Sequence, residues 1–215
     1  KLKQLTRFKE QLKQFKKEYI QRQIEANVSG VAELSTVPKG YENIKGIYSC
    51  GDYILNDEGV KKTAKTKDGD FVLVPICSQP LLIVERLRNI QDNCEKVVLA
   101  FCVGNSWETV QVEREVIASN TKIIRLANFS IDVTSETAKD IVKYLQCLMQ
   151  KNINLIKVSH TVNRLGWQNG EFVPYSDKVK CDSISEFLGI YRAIESKGNY
   201  ELWIKHCLKL RENIY

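Results

Sequence analysis

The sequence predicts an α+β protein, an antiparallel β-sheet meander covered by helices and preceded by a long basic amphipathic N-terminal helix. Three observations carry that expectation. Four short apolar, β-branched runs succeed one another between turn formers, at Phe71–Cys77, Leu81–Leu87, Lys96–Val103 and Trp107–Val112. Val97 to Val103 is apolar at nearly every position, the pattern of a strand buried on both faces. That strand takes the centre of the meander and needs cover. Residues 1–25 hold no Gly or Pro and repeat apolar residues every three or four positions, as an amphipathic helix does.

The first element also concentrates the charge. Residues 1–25 carry eight Lys/Arg against three acids, a net of +5 out of +6 for the whole chain. Leu2, Leu5, Phe8, Leu12, Phe15 and Tyr19 make one stripe, and Lys3, Lys9, Lys13, Lys16 and Lys17 occupy the rest of the surface. Three roles fit such a helix. The stripe docks on the domain or on a neighbouring subunit beneath a solvated charged face. The basic face lies along nucleic-acid phosphates. Or the helix lies on a membrane surface. The first two use different surfaces and are compatible.

Residues 26–40, with Asn27, Ser29, Gly30, Ser35, Pro38 and Gly40, read as a linker, which leaves 41–215 as the α+β domain. Gly46–Leu55 and Gly59–Ala64 read as a hairpin turning at Asn56-Asp57-Glu58-Gly59. Lys61, Lys62, Lys65 and Lys67 come next, either blunting an edge strand or touching nucleic acid. Asp68-Gly69-Asp70 then turns into the apolar runs. Glu113–Ala118 and Asn120–Ala127 predict short helical turns, the second capped by Ser119. Ser135–Gln150 predicts the main helix of the body. Thr134 is its N-cap, Glu136 lies in its first turn, and Ala138, Ile141, Val142, Leu145 and Leu148 form its buried face. Asn154–His160 and Ile184–Arg192 read as strands. Arg164–Val173 reads as a tight hairpin around Asn169-Gly170, which suits a type I′ turn. Asn199 caps a last helix, Tyr200–Leu210. No stop signal comes after it, so the sequence reads as cut from a longer protein.

Composition and motifs narrow the chemistry. No apolar run approaches the roughly 20 residues of a membrane span. The start, KLKQLTRFKEQ, resembles no secretory signal, so a cytoplasmic location without membrane contact is expected. Seven cysteines form no CxxC pair and the two histidines, His160 and His206, stand far apart, so no metal site is expected. No phosphate-binding glycine loop, nucleophile elbow or H-E-x-x-H is present. His160 beside Ser159 is the one candidate base, and a lone His at a strand end is more often structural. The chain by itself is therefore not expected to be an enzyme.

Three segments resemble a known family. The first is Cys77-Ser78-Gln79-Pro80-Leu81-Leu82-Ile83-Val84-Glu85-Arg86-Leu87-Arg88-Asn89-Ile90, followed by Glu95–Phe101. The second runs from Ile117-Ala118 through Lys122-Ile123-Ile124, Leu126-Ala127-Asn128 and Val133-Thr134-Ser135 to Lys143-Tyr144-Leu145. The third is Arg164-Leu165-Gly166-Trp167 with Gly170 and Phe172-Val173. In that order, over roughly Gly40 to Leu210, they resemble the domain of unknown function 927. That domain occurs in replication helicases of phages, plasmids and staphylococcal cassette or pathogenicity-island elements. The resemblance implies the N-terminal, non-ATPase part of a self-loading, MCM-like AAA+ helicase that assembles as a hexameric ring. ATP and Mg would belong to a motor outside this chain, which itself needs no cofactor. Residues 1–25 are not part of the resembling pattern.

The function expected on these grounds is DNA binding and subunit organisation in a mobile-element helicase, with DNA, in single-stranded form, held by phosphate contacts without sequence readout. The candidate contacts are Lys9, Lys13, Lys16 and Lys17 on the helix and Lys61, Lys62, Arg86, Arg88 and Arg164 on the body. Arg86 and Arg88 share a strand face, as a basic patch or as ion-pair partners of Glu85 or Glu95. Trp107 and Trp167 either stack bases or pack locally. The alternative is an interaction module that recruits a polymerase, initiator or regulator through the apolar stripe without touching DNA.

Overall fold

The structure is a computed structural model that describes residues 2–26, 32–67, 70–173, 175–176, 178–183, 185–193 and 198–212. Asn27, Ser29 and Gly30 of the expected linker, Asp68 and Gly69 of the expected turn, Ile184 of the expected strand and the last three residues lie outside these. The fold is α+β, with antiparallel sheets, and it forms two compact units, Lys1–His160 and Thr161–Tyr215.

The first unit opens with helix α1, Leu2–Ala26. Residues 32 and 33 are tied to the first sheet and to the segment that leads into it: Ala32 N–H donates to the Tyr48 carbonyl at 2.9 Å and Glu33 N–H to the Leu55 carbonyl at 2.8 Å. Strands β1 (Tyr53–Asn56), β2 (Gly59–Lys65) and β3 (Phe71–Cys77) form an antiparallel three-stranded sheet in that order. Strands β4 (Leu81–Asn89), β5 (Glu95–Val103) and β6 (Ser106–Glu113) pair antiparallel with β5 in the middle, as its continuous apolar run requires. Val97, Leu99 and Ala100 are fully buried there.

The expected meander needs a correction. The four runs are not a single meander, because β3 pairs with β2 and not with β4. The break is at Ser78-Gln79-Pro80. Pro80 has no N–H to continue a ladder. Gln79 turns its side chain to Cys102, donating to that carbonyl at 2.7 Å, and accepts the Asp132 N–H at 2.8 Å. The Asp132 carboxylate in turn accepts the Ser78 N–H at 3.0 Å, so its role is to hold this crossing.

Beyond β6 come helix α2 (Arg114–Ala118), a 3-10 helix at Ile123–Phe129 and helix α3 (Ala138–Lys151). The expected N-cap Thr134 works one turn early. It exchanges backbone-to-side-chain hydrogen bonds with Thr137, and its carbonyl accepts the Ala138 N–H at 2.9 Å. Glu136 therefore precedes the helix, and Asp140 is the acid of the first helical turn. The predicted buried face is buried, joined by Tyr144 and Met149. Tyr144 anchors α3 on β4 by donating to the Leu81 carbonyl at 2.7 Å. Strand β7 (Lys157–Val162) passes the boundary between the units.

In the second unit β8 (Gly166–Gln168) and β9 (Glu171–Val173) form the predicted hairpin. Asn169 and Gly170 have φ of 50° and 79°, the two positive values a type I′ turn demands. Strand β10 (Val179–Cys181) comes next, at a position with no strand signal in the sequence. The expected strand over 184–192 is a second correction, since Leu188–Ala193 is helix α4. The final helix α5 spans Tyr200–Glu212, and Asn199 caps it by accepting the Glu201 N–H at 2.8 Å and the Leu202 N–H at 3.2 Å.

Candidate nucleic-acid interface

Helix α1 displays a row of exposed cations. The side chains of Lys9, Lys13 and Lys16 are exposed, and among the described residues none of the three forms an ion pair. Lys17 differs, meeting Asp70 at 2.9 Å. The helix touches β3 near its C-terminal end, where Ile20 lies half-buried. Two open hollows flank that contact. One, of about 390 Å³, is lined by Lys16 and Tyr19 of α1 and by Lys61, Leu73 and Pro75 of the sheet. The other, of about 480 Å³, is lined by Lys17, Gln21, Arg22, Asp70 and Phe71. The structure thus brings Lys16 and Lys61 to one groove.

Lys61 and Lys62 are neighbours on β2 and point to opposite faces, as alternation requires. Lys61 pairs with Glu58 on the α1 side, while Lys62 reaches the other face and pairs with Asp140 of α3. Both are partly buried. Their charge is matched locally, so their pairing ties the small sheet to its turn and to α3.

Arg86 and Arg88 do share a face of β4. Arg86 is committed to Glu95 through two bonds, Nε at 3.0 Å and Nη2 at 2.8 Å. Arg114 joins the same carboxylate. The Arg86 hydrogen bonds, with help from Arg114 and against the cost of burial, hold the Glu95 carboxyl below its usual range. The ion-pair arrangement is the one present. Arg88 is exposed, with a long contact of 3.4 Å to Asn93. Arg164 is exposed in the second unit.

Glu85, the other acid within reach of these arginines along the chain, points inward. It is 4% exposed, and its carboxylate accepts the Tyr41 hydroxyl at 2.8 Å and the Ser159 hydroxyl. Burial, then the bonded carboxylate, pushes the Tyr41 phenol well above its ordinary value. This grouping had one readable sequence signal, a lone acid inside an apolar strand. It also separates Ser159 from His160. Ser159 turns to buried Glu85 while His160 faces outward, so the two do not form a nucleophile and base. Among the described residues, no cluster of three His, Cys, Asp or Glu is arranged to hold a metal, and no helix is long and apolar enough to cross a membrane. The seven cysteines are free thiols.

The two tryptophans separate. Trp107 is half-buried against the core, and its indole N–H donates to Thr36 at 3.0 Å. Trp167 is 74% exposed on the hairpin, beside Phe172 at 5.3 Å, which in turn stacks on Tyr175 at 5.9 Å.

These features define a two-unit α+β chain with a cationic helical arm, paired cations on the sheets and an exposed aromatic hairpin. Residues 53–215 match the model of the family described as domain of unknown function (DUF927), and the chain belongs to that family. Helix α1 lies outside the matched span. No curated protein matches the chain. Among solved structures it is similar to one titled "SCCmec type IV Cch - active helicase", at 14% identity and a TM-score of 0.43. That similarity covers 74% of this chain and 30% of the other.

Proposed function

We propose that this chain is the DNA-engaging and subunit-organising part of a larger mobile-element replicative helicase, holding single-stranded DNA by its phosphates without reading sequence. Membership of the domain of unknown function 927 family and the helicase setting that the sequence resemblance implies support the class. The observation that carries the DNA contact is the row of exposed cations on α1, Lys9, Lys13 and Lys16, which form no ion pair among the described residues. A cation without an acid partner gains most from a phosphate, because no ion pair must first be broken. Arg88 in the first unit and Arg164 in the second are further exposed candidates, each on its own unit. Lys17, Lys61, Lys62 and Arg86 are secondary, since each would have to leave a carboxylate. ATP and Mg chemistry belongs, in this reading, to a motor beyond these residues.

Fluorescence anisotropy with labelled single-stranded and duplex oligonucleotides, titrated over salt, tests this. Three or four phosphate contacts predict that single-strand affinity falls about 20- to 50-fold between 50 and 200 mM salt. The charge reversals Lys9→Glu, Lys13→Glu and Lys16→Glu together should abolish binding while leaving the fold intact, because all three side chains are exposed. Binding that survives the triple reversal moves the contact off the helix, to Arg88 of the first unit or to Arg164 of the second. A chain that binds no DNA at low salt sinks the reading and leaves the second one, recruitment of another replication protein, which the exposed apolar seam of α1 favours.

A further inference from the structure

Five apolar residues of α1, Leu5, Phe8, Leu12, Phe15 and Tyr19, alternate at spacings of three and four. In heptad terms Leu5, Leu12 and Tyr19 take the a positions and Phe8 and Phe15 the d positions, the seam of a coiled coil. A helix that docks on its own domain hides such a seam. Here all five side chains are between 45% and 73% exposed. The contact with β3 is made instead through Ile20, about 100° around the helix from Tyr19. The helix therefore rests on the body by one narrow side and leaves its most apolar side uncovered over about two heptads.

We infer that this seam is covered by the same helix of a second copy of the chain, in parallel and in register. The flanking residues select that occupant and that direction. Beside the seam stand Lys9 and Lys16 at e positions and Gln4, Gln11 and Glu18 at g positions. In a parallel pair each g residue faces the e residue of the partner's following heptad. Gln4 then meets Lys9 and Gln11 meets Lys16, with no like-charge contact. In an antiparallel pair e faces e, and lysine would oppose lysine. The basic residues Lys13 and Lys17 lie off the seam, at b and f, and remain outward in the pair. Two copies would then present a doubled cationic surface. The inference specifies the subunit-organising part of the proposed function and rests on that part alone. It stands or falls independently of DNA.

Sedimentation equilibrium of the full chain, with and without Leu12→Gln and Phe15→Gln, tests it. Glutamine keeps helix propensity and charge, and both sites are exposed, so folding is preserved. The parent chain should self-associate at concentrations on the order of 100 µM, the weak range for so short a seam. The double variant should lose at least 100-fold in that association while keeping its cations and their DNA contact. Direction is read by oxidative cross-linking. Leu5→Cys should form a dimer with itself across a parallel seam, well above the background set by exposed Cys94 and Cys207 in the parent. A parent chain that stays monomeric at about 500 µM, or a double variant that associates as the parent does, overturns the inference. Cross-linking of Leu5→Cys only when mixed with Tyr19→Cys overturns the parallel arrangement. Salt-sensitive DNA binding by a monomeric chain would leave the DNA reading standing and this one refuted.

Discussion

Glu95 shows how a residue chosen for its neighbours' charge becomes a structural element. Its carboxylate is held by Arg86 and Arg114, and its folded pKa lies below the ordinary value, first through the Arg86 hydrogen bonds. A depressed carboxyl stabilises the fold above the unfolded-state value near ~4.3, and that contribution is lost as pH falls through the lower folded value. Urea unfolding of the parent chain should therefore weaken between about pH 5 and pH 3. Glu95→Gln should be less stable at neutral pH by about 1 kcal/mol, the size of a typical net hydrogen bond, and its acid slope should be shallower. Equal slopes in the two chains would show that the pair contributes nothing to stability. The sequence placed Arg86 and Arg88 on one face and left a patch and an ion pair as alternatives. Partner choice across a strand pair depends on register, here Arg88 opposite Glu95 and Arg86 opposite Val97, and register is not written in either strand alone.

At the scale of elements, what was legible depended on local chemistry. The Asn169-Gly170 turn, the Asn199 cap, the buried face of α3 and the central β5 each came from residues within one segment. The failures involved choices between partners. β3 has the composition of a meander strand, and only the crossing at Ser78-Gln79-Pro80 sends it to β2. Residues 184–192 hold β-branched and aromatic residues in a short run, yet α4 forms there, since intrinsic preference yields to tertiary context. Gly59 is where the small sheet is most constrained. Its φ is 116°, and a Cβ there would stand 2.3 Å from the Cys77 carbonyl oxygen and 2.8 Å from the Gln79 nitrogen. These are backbone atoms of the crossing itself, and they cannot swing aside. Gly59→Ala should cost about 2–4 kcal/mol, from strain and displacement together, with Gly104→Ala as a milder control because its Cβ would meet nothing within 4 Å. Equal denaturation midpoints for the two variants would refute the close approach as the reason for glycine.

Across the whole molecule the two units differ in how much they bury. The first holds the continuous apolar core, including fully buried Leu81, Leu82, Ile83, Leu99, Ile123, Leu126, Ile141, Tyr144 and Leu145. In the second, spanning Thr161–Tyr215, the buried apolar residues among those described are Val162, Val173, Val179 and Cys181. Its aromatic and aliphatic side chains, Trp167, Tyr175, Tyr200, Leu202, Trp203 and Leu210, are more than half exposed. The sequence pattern could not reveal this, because α5 reads as an ordinary amphipathic helix whether or not its face is covered. The described residues of this unit bury little to set against its chain entropy. Amide hydrogen exchange should therefore separate the units. Protection in β4, β5 and α3 should approach that of global unfolding. Amides of β8, β9 and α5 should exchange at least 100-fold faster by local opening. If the cationic and aromatic hairpin around Arg164 and Trp167 engages single-stranded DNA, saturating oligonucleotide should slow exchange in β8 and β9 while leaving β5 unchanged. Protection of β8 and β9 equal to that of β5 without DNA would mean that the second unit is as stable as the first, and the exposed aromatics would then need no ligand to hold them.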